Sequence, residues 1–238
     1  MSTLCPPTIF VLIPAYKAAA HLGAFLDTLA GVVPKDNILV IDDAGNDGTP
    51  ELCAKRSISC VAHSINQGKG AALKTGFAIL IQKGASWIIT MDADGQHAAS
   101  DLPAFYTAIS NNPDAGIVCG NRKKIPGTMP LSRIFSNRTT SGIMSLFCKQ
   151  KIDDVQCGYR AYNAVLINRI DITYSRFEME SEVVLKSCAL DMNVCSVPIQ
   201  TIYDKHISSH ISHLRDTIRW IRAVVSTSKN LRIARRTS

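Results

Sequence analysis

Two carboxylates one residue apart, Asp92 and Asp94, directly follow the short apolar run 87–91. Because that run does not alternate polar and apolar residues, it is typical of a strand buried on both faces. A buried charge is costly unless it is paired or bound to a metal, so we expect both carboxylates at the strand's C-terminal end. That edge of an α/β sheet is where ligands bind. Together with the amide oxygen of Gln96, the pair predicts a site for Mg²⁺ or Mn²⁺ that leaves positions for phosphate oxygens, although a solvated turn is the alternative.

The elements that must position these carboxylates can be predicted from the apolar periodicity. Strand-like runs alternate with helical patterns, which predicts a mostly parallel sheet with helices on both faces. Right-handed crossovers bring the C-terminal ends of such strands to one edge. Another strand-like run also ends in a carboxylate pair, Asp42 and Asp43, so we expect four carboxylates in one cleft, which favours a ligand site. The predicted strands are residues 8–14, 37–41, 58–62, 87–91 and 115–119.

Composition restricts the classes of partner. A chain of 238 residues with 46% hydrophobic residues is long enough for one globular domain with a full core. Its 26 Lys and Arg against 19 Asp and Glu give a net charge of +7, which suits phosphate-bearing partners or an anionic membrane surface. The basic segments are not interleaved with aromatic residues, which argues against nucleic-acid binding.

The cysteines and the apolar runs predict the compartment. Eight cysteines occur without any Cys-x-x-Cys pair, a pattern typical of reduced thiols in a cytosolic protein. The N-terminus lacks the pattern of a signal peptide, and no uncharged apolar run reaches the roughly 18 residues that span a bilayer. We therefore expect a cytoplasmic protein, either soluble or peripheral at the cytoplasmic face of a membrane.

Seven short motifs occur in a fixed order along the chain, at residues 13–16, 40–43, 66–70, 91–97, 120–122, 154–160 and 197–203. In this order they resemble family 2 glycosyltransferases of the GT-A fold, and most closely the dolichyl- or polyprenyl-phosphate sugar synthase branch. The resemblance covers about residues 8–216. It implies one Rossmann-like α/β domain over residues 1–238, with a nucleotide-sugar-binding half (about 8–120), an acceptor half (about 121–208) and an amphipathic basic C-terminal segment (about 209–238).

The resemblance implies a nucleotide-sugar donor and a divalent metal that bridges its diphosphate. The metal ligands would be Asp92, Asp94 and Gln96. The glycine-rich stretch 66–70 is either a helix-initiating turn or a backbone cradle that brings Lys69 close to a phosphate. The implied nucleotide-sugar-binding residues are Pro14, Tyr16, Asp42, Asp43, Lys69, Asp92, Ala93 and Asp94.

The resemblance also implies an acceptor site. Arg122 and Arg133 match positions that grip an acceptor phosphate, for which a planar guanidinium is suited. With Asp94 they are the implied catalytic residues. A phosphate acceptor is already a nucleophile, whereas a hydroxyl acceptor would need a general base, for which Asp94, Glu180 and Glu182 are candidates. The implied acceptor-binding residues are Arg122, Arg133, Asn137, Gln156, Arg160 and Glu180.

The predicted function is therefore an inverting, metal-dependent glycosyltransferase that moves a sugar to a polyprenyl-phosphate-like acceptor. Two alternatives stay open: transfer to a saccharide or other hydroxyl in cell-envelope glycan synthesis, and a catalytically silent subunit that binds a membrane-anchored partner. The intact Asp92 and Asp94 pair argues against the silent subunit. The C-terminal segment either lies on an anionic bilayer, with Trp220 at the headgroups, or is an ordinary packed helix.

Overall fold

In a computed structural model of the chain, residues 8–122, 131–200 and 213–237 are described, without the side chains of 131–133, 213–216 and 232–237. These residues form one seven-stranded sheet and eight α-helices. The strands are β1 (Ile9–Ala15), β2 (Ile38–Asp42), β3 (Ser59–Ala62), β4 (Trp87–Thr90), β5 (Ile117–Arg122), β6 (Arg160–Asn163) and β7 (Val194–Ile199). The helices are α1 (Ala19–Ala30), α2 (Thr49–Ala54), α3 (Lys69–Gln82), α4 (Leu102–Asn111), α5 (Leu131–Cys148), α6 (Ala164–Arg169), α7 (Glu178–Ala189) and α8 (His213–Thr237).

The sheet has the strand order β3-β2-β1-β4-β6-β5-β7. All five predicted strands are present, and the mostly parallel α/β sheet is confirmed. Strands β6 and β7 were not predicted, and β6 runs antiparallel to both of its neighbours, β4 and β5. Because β6 is reversed, it begins at the edge of the sheet where β4 and β5 end. The residues just before β6 therefore lie beside the carboxylates that follow β4.

Apolar side chains cover both faces of the sheet. On one face α1 and α4 contribute Leu22, Leu26 and Phe105 to the core. On the other face α3 and α7 contribute Phe77 and Val183, among others. The first two turns of α7 are buried almost all round, because α3, α5 and α8 all pack against this helix.

The C-terminal helix α8 packs on α7. Ala223 and Val224 are buried there, and the Trp220 indole Nε1 donates a hydrogen bond of 2.8 Å to Ser181 Oγ. This contact draws Trp220 toward the protein rather than toward the predicted headgroup position. Ile218 and Ile221 remain about half exposed on the outer side. Within the described parts of the chain, no helix combines the length and the apolar character that a membrane crossing requires.

The contact between α3 and β1 depends on a glycine. A Cβ at Gly76 would overlap the buried side chain of Leu12, lying 2.9 Å from its Cγ. We expect Gly76→Ala to lower the free energy of unfolding by about 1–3 kcal/mol, as overpacked cores do. Gly142, in α5, faces open space, so Gly142→Ala should raise that free energy by about 0.5–1 kcal/mol. Urea unfolding of the two variants measures both changes in the free energy of unfolding. If both substitutions lowered it, this account of the packing would be contradicted.

Candidate active site

The candidate site lies at the edge where β1, β2 and β4 end and β6 begins. Asp92 lies two residues after β4, and Gly158 lies two residues before β6. The Thr90 hydroxyl donates 2.8 Å to the Gly158 carbonyl, which fixes the two segments to each other. A Cβ at Gly158 would lie 2.6 Å from Asp92 Oδ2 and 2.8 Å from Lys69 Nζ. Only glycine therefore leaves room for the charged pair at this point of the edge.

Lys69, the first residue of α3, lies between two carboxylates. Its Nζ is 2.6 Å from Asp92 Oδ1 and 3.0 Å from Glu180 Oε1. Burial alone would raise the pKa of Asp92, but the nearby positive charges, that of Lys69 first among them, outweigh burial and hold that pKa at about 2. Burial alone would lower the pKa of Lys69, yet Asp92 and Glu180 together raise it. Asp92 and Lys69 are therefore both charged at neutral pH.

Asp94 and His97 complete the turn after β4. Burial and the neighbouring charge of Asp92 raise the pKa of Asp94, and its Oδ1 accepts 2.9 Å from the Gln96 backbone N–H. Burial lowers the pKa of His97, whose Nδ1 accepts 2.9 Å from the Asp92 N–H. A ring nitrogen that accepts carries no proton, so His97 holds the Asp92 backbone through its unprotonated Nδ1. Its ring stacks on Tyr159, with centroids 5.0 Å apart.

The carboxylates after β2 hold the loops of the site. Asp43 accepts hydrogen bonds from His63 Nδ1 (2.7 Å) and from the backbone N–H groups of Gln67 (2.9 Å) and Gly68 (2.7 Å). It therefore fixes the turn that carries Lys69, whereas the predicted role was contact with the nucleoside. Asp42 is also buried and accepts 2.9 Å from the Gly45 N–H.

One of the two predictions for the glycine-rich turn before α3 was a backbone cradle, but this turn is not open to a ligand. The backbone of Ser175 and Arg176 covers it: a Cβ at Gly70 would lie 2.6 Å from the Ser175 carbonyl carbon. The Ala71 N–H already donates 2.9 Å to the Ser175 carbonyl. The turn thus presents the Lys69 side chain, and not a row of amides, to the site.

The predicted nucleoside contacts from β1 lie at the same edge. Pro14 is buried within the strand, whereas Tyr16 follows it and is 48% exposed. The Asp43 N–H donates 2.8 Å to the Ala15 carbonyl, which ties this loop to the end of β2. Tyr16 thus offers an accessible ring at the rim, while Ala93 is buried between the two aspartates.

Arg122, the last residue of β5, is held by a carboxylate that the sequence analysis did not assign to the site. Its Nε lies 2.8 Å from Asp154 Oδ2 and its Nη2 lies 2.9 Å from Asp154 Oδ1. Asn137 Nδ2 also donates 2.5 Å to Asp154, so Asn137 serves this ion pair and not the exterior. Burial would raise the pKa of Asp154, but these donors lower it. The available sequence signal was that Asp154 opens the motif 154–160.

The remaining predicted acceptor residues differ in their surroundings. Arg160 is fully buried and donates to the backbone carbonyls of Val155, Cys157 and Glu180, so the assignment of its guanidinium to the acceptor is wrong and it packs the turn before β6 instead. Gln156 is exposed and donates 3.2 Å to Ser136 Oγ. The side chain of Arg133 lies outside the described residues.

Comparison with known proteins identifies the family. The model of the family described as glycosyl transferase family 2 matches residues 10–170. The chain belongs to glycosyl transferase family 2. It is a glycosyltransferase, and its relatives include polyprenyl-phosphate sugar transferases. It is 28% identical to the undecaprenyl-phosphate mannosyltransferase of Micrococcus luteus over 80% of this chain and 82% of that protein. It is 28% identical to the UDP-N-acetylglucosamine–dolichyl-phosphate N-acetylglucosaminyltransferase of Methanococcus voltae over 83% and 87%.

A solved structure supports the GT-A fold. The glucosyl-3-phosphoglycerate synthase of Mycobacterium tuberculosis, crystallised with Mn²⁺, UDP-glucose and phosphoglyceric acid, superimposes with a TM-score of 0.74. The match covers 94% of this chain and 80% of that one at 16% identity. At that identity the likeness establishes the fold alone, and it confirms the GT-A architecture expected from the motifs.

Proposed function

We propose that this glycosyltransferase moves a sugar from a nucleotide-sugar donor to a polyprenyl-phosphate-like acceptor, with inversion at the anomeric carbon. The acceptor phosphate is ionised at neutral pH, and its oxygen attacks the anomeric carbon on the side opposite the leaving nucleoside diphosphate. The carbon–oxygen bond to that diphosphate breaks as the new bond forms. The protein has to bind and orient the acceptor phosphate and the two phosphates of the donor, and a strong general base is not required.

The observation that carries the proposal is the guanidinium of Arg122, which Asp154 holds in place at the edge of the sheet that also carries Asp92. Arg122 ends β5 at the same edge of the sheet, and its positive charge lowers the pKa of Asp92. The Asp154 fork fixes its orientation. A cation held rigidly beside the donor site suits an acceptor phosphate. The related lipid-phosphate transferases support the same acceptor class.

The alternative, a hydroxyl acceptor, would require a free general base. Glu182 accepts from the N–H groups of Thr173 and Tyr174 and pairs with Lys186 at 2.7 Å, so its carboxylate is committed within the fold. Glu180 pairs with Lys69. Asp94, whose pKa is raised, is the remaining candidate. Because the proposed metal would occupy Asp94, none of the three carboxylates is free to act as a base, which favours the phosphate acceptor.

The carboxylates fit a divalent metal that the protein and the donor hold together. Asp92 and Asp94 supply two acidic side chains, while among the described residues no cluster of three or more His, Cys, Asp or Glu side chains could hold a metal. Mg²⁺ is commonly bound by one or two carboxylates plus substrate phosphates. When bound, the metal would neutralise the leaving diphosphate. Asp92 and Asp94 would hold it, with Gln96 as a further oxygen donor.

We further propose that α8 docks the enzyme on an anionic membrane surface. Its outer side carries the exposed apolar residues Ile218, Ile221 and Val225, flanked by exposed Arg222 and Lys229. An apolar stripe bordered by cations suits the headgroup region of an anionic bilayer. Such a position would bring the active site close to lipid-borne acceptors.

The function is tested by a matched pair of acceptors: a short polyprenyl phosphate and the corresponding polyprenol. With a panel of UDP- and GDP-sugars and Mn²⁺ or Mg²⁺, we expect sugar transfer to the phosphate only, loss of transfer with EDTA, and inverted configuration in the product. Equal transfer to polyprenol or to a saccharide would instead support the hydroxyl acceptor. Folded protein that binds donor diphosphates but transfers to neither acceptor would support a silent subunit.

A further inference from the structure

The strongest unexplained feature of the site is that the protein already supplies a cation to Asp92. Lys69 Nζ lies 2.6 Å from Asp92 Oδ1, and its side chain is only 16% exposed. The backbone at Gly158 lies close against this pair, since a Cβ there would lie within 3.0 Å of both groups. The Lys69 ammonium thus lies directly beside Asp92, a carboxylate that the proposed function assigns to a metal.

A second carboxylate gives Lys69 another partner. Glu180 Oε1 lies 3.0 Å from Nζ, and the Glu180 side chain is 8% exposed. If Asp92 were taken by a metal, Lys69 would still have Glu180 beside it and would not become an unpaired buried charge. A buried charge is tolerated when it is paired. Lys69 can therefore pair either with Asp92 or with Glu180, and its charge is compensated in both arrangements.

We propose that Lys69 is the counter-ion of Asp92 in the donor-free enzyme and that a divalent cation gains Asp92 only together with the donor's diphosphate. This inference rests on the proposed function and specifies how the same site is regulated. A metal ion alone would meet the Lys69 ammonium at Asp92 and be repelled by it. A nucleoside diphosphate adds negative charge that attracts both cations, so Lys69 can shift toward Glu180 and the phosphates while the metal reaches Asp92.

The consequence is positive coupling between metal and nucleotide. Coupling is reciprocal, so a nucleoside diphosphate should tighten Mn²⁺ binding by the same factor as Mn²⁺ tightens nucleotide binding. It also gives an order to the reaction, because metal and donor enter the site as a unit. In the free enzyme Lys69 compensates the charge of Asp92, and this disfavours the binding of other cations at the carboxylates.

Mn²⁺ binding, followed by the electron paramagnetic resonance signal of the free ion, tests this with a panel of UDP and GDP. In wild type we expect the nucleotide that fits to tighten Mn²⁺ binding by about tenfold or more. Lys69→Met should bind Mn²⁺ about tenfold tighter than wild type without nucleotide, and its coupling should be weaker, because only the contact between metal and diphosphate would remain. Glu180→Gln should shift the other way, because Lys69 then has only Asp92 to pair with.

Lys74→Met, at an exposed position of the same helix, is the matched control and should behave like wild type. Circular dichroism establishes that each variant is folded, and Glu180→Gln keeps the test decisive should Lys69→Met fail to fold. Nucleotide binding with an unchanged Mn²⁺ affinity in wild type, or variants without opposite shifts, would overturn the role of Lys69. Wild type that binds no nucleoside diphosphate, with or without Mn²⁺, would instead overturn the donor site and with it the proposed function.

Discussion

Gly158→Ala is expected to lower kcat/KM for sugar transfer by about 100-fold, because displacing reacting groups by about 1 Å has effects of this size. The added Cβ would lie 2.6 Å from Asp92 Oδ2 and 2.8 Å from Lys69 Nζ, so one or both charged groups must move. The Gly158 backbone cannot retreat easily, since its carbonyl is held by the Thr90 hydroxyl. Steady-state kinetics with saturating Mn²⁺ measures the effect, and the free energy of unfolding should fall by about 1–3 kcal/mol at most.

Gly120→Ala separates the effect on the site from simple overpacking. A Cβ at Gly120 would lie 2.8 Å from Ile199 Cδ1 and 3.0 Å from the Tyr159 carbonyl, which crowds the core two strands away from β4. This variant should lose comparable stability and retain most of its kcat/KM. If the two variants lost activity in parallel with stability, Gly158 would be an ordinary packing glycine and not a boundary of the charged site.

The parallel part of the fold could be predicted because its strands are continuous apolar runs that end in turn residues. β1, β2 and β4 illustrate this: each is buried on both faces, and buried strands do not need alternation. β6 could not be found in this way, because it begins with the charged Arg160 and ends with the polar Asn163 and is not a continuous apolar run. Its direction depends on long-range pairing with β4 and β5, which local periodicity does not encode.

The carboxylates of the site were predictable in type and edge, but their partners were not. The strand-end positions of Asp42, Asp43, Asp92 and Asp94 follow from parallel topology alone. That Asp43 holds the Gly68 N–H, and thereby the start of α3, depends on the path of a loop 25 residues away in sequence. Likewise the ion pair of Lys69 with Glu180 joins α3 to α7, which no motif spacing connects.

Two arginines show most clearly that the partners of a side chain are not predictable from the sequence. Arg122 and Arg160 each end one of the family motifs and are indistinguishable by residue type. In the fold Arg122 ends its strand at the sheet edge. Arg160 instead begins β6, is buried, and donates hydrogen bonds to three backbone carbonyls. Burial decides between a binding group and a packing group, and burial of a single side chain is a property of the assembled core.

Arg122→Met is expected to lower kcat/KM for the polyprenyl phosphate by about 100-fold, because the attacking phosphate would lose the contact that positions it. The loss should not extend to slow hydrolysis of the nucleotide-sugar without acceptor, because Arg122 is proposed to hold the acceptor phosphate and not the donor. Removing the guanidinium also leaves the buried Asp154 without its cation and with only neutral donors such as Asn137, at a cost of up to about 3–5 kcal/mol in stability. Assays at low temperature on folded protein keep the two effects apart.

Arg122→Lys and Asp154→Asn divide the role of Arg122 into charge and orientation. The lysine variant keeps a cation but loses the two-point fork to Asp154 Oδ1 and Oδ2, so we expect a smaller loss than with methionine, mainly in KM for the acceptor. Asp154→Asn keeps Arg122 but frees its orientation, and should resemble the lysine variant. Lys151→Met, at an exposed cation of the same region that pairs with Asp153, is the matched control and should leave the kinetics unchanged. A loss of donor hydrolysis equal to the loss of transfer would move Arg122 from the acceptor to the donor, because only a contact with the leaving diphosphate would affect both reactions alike.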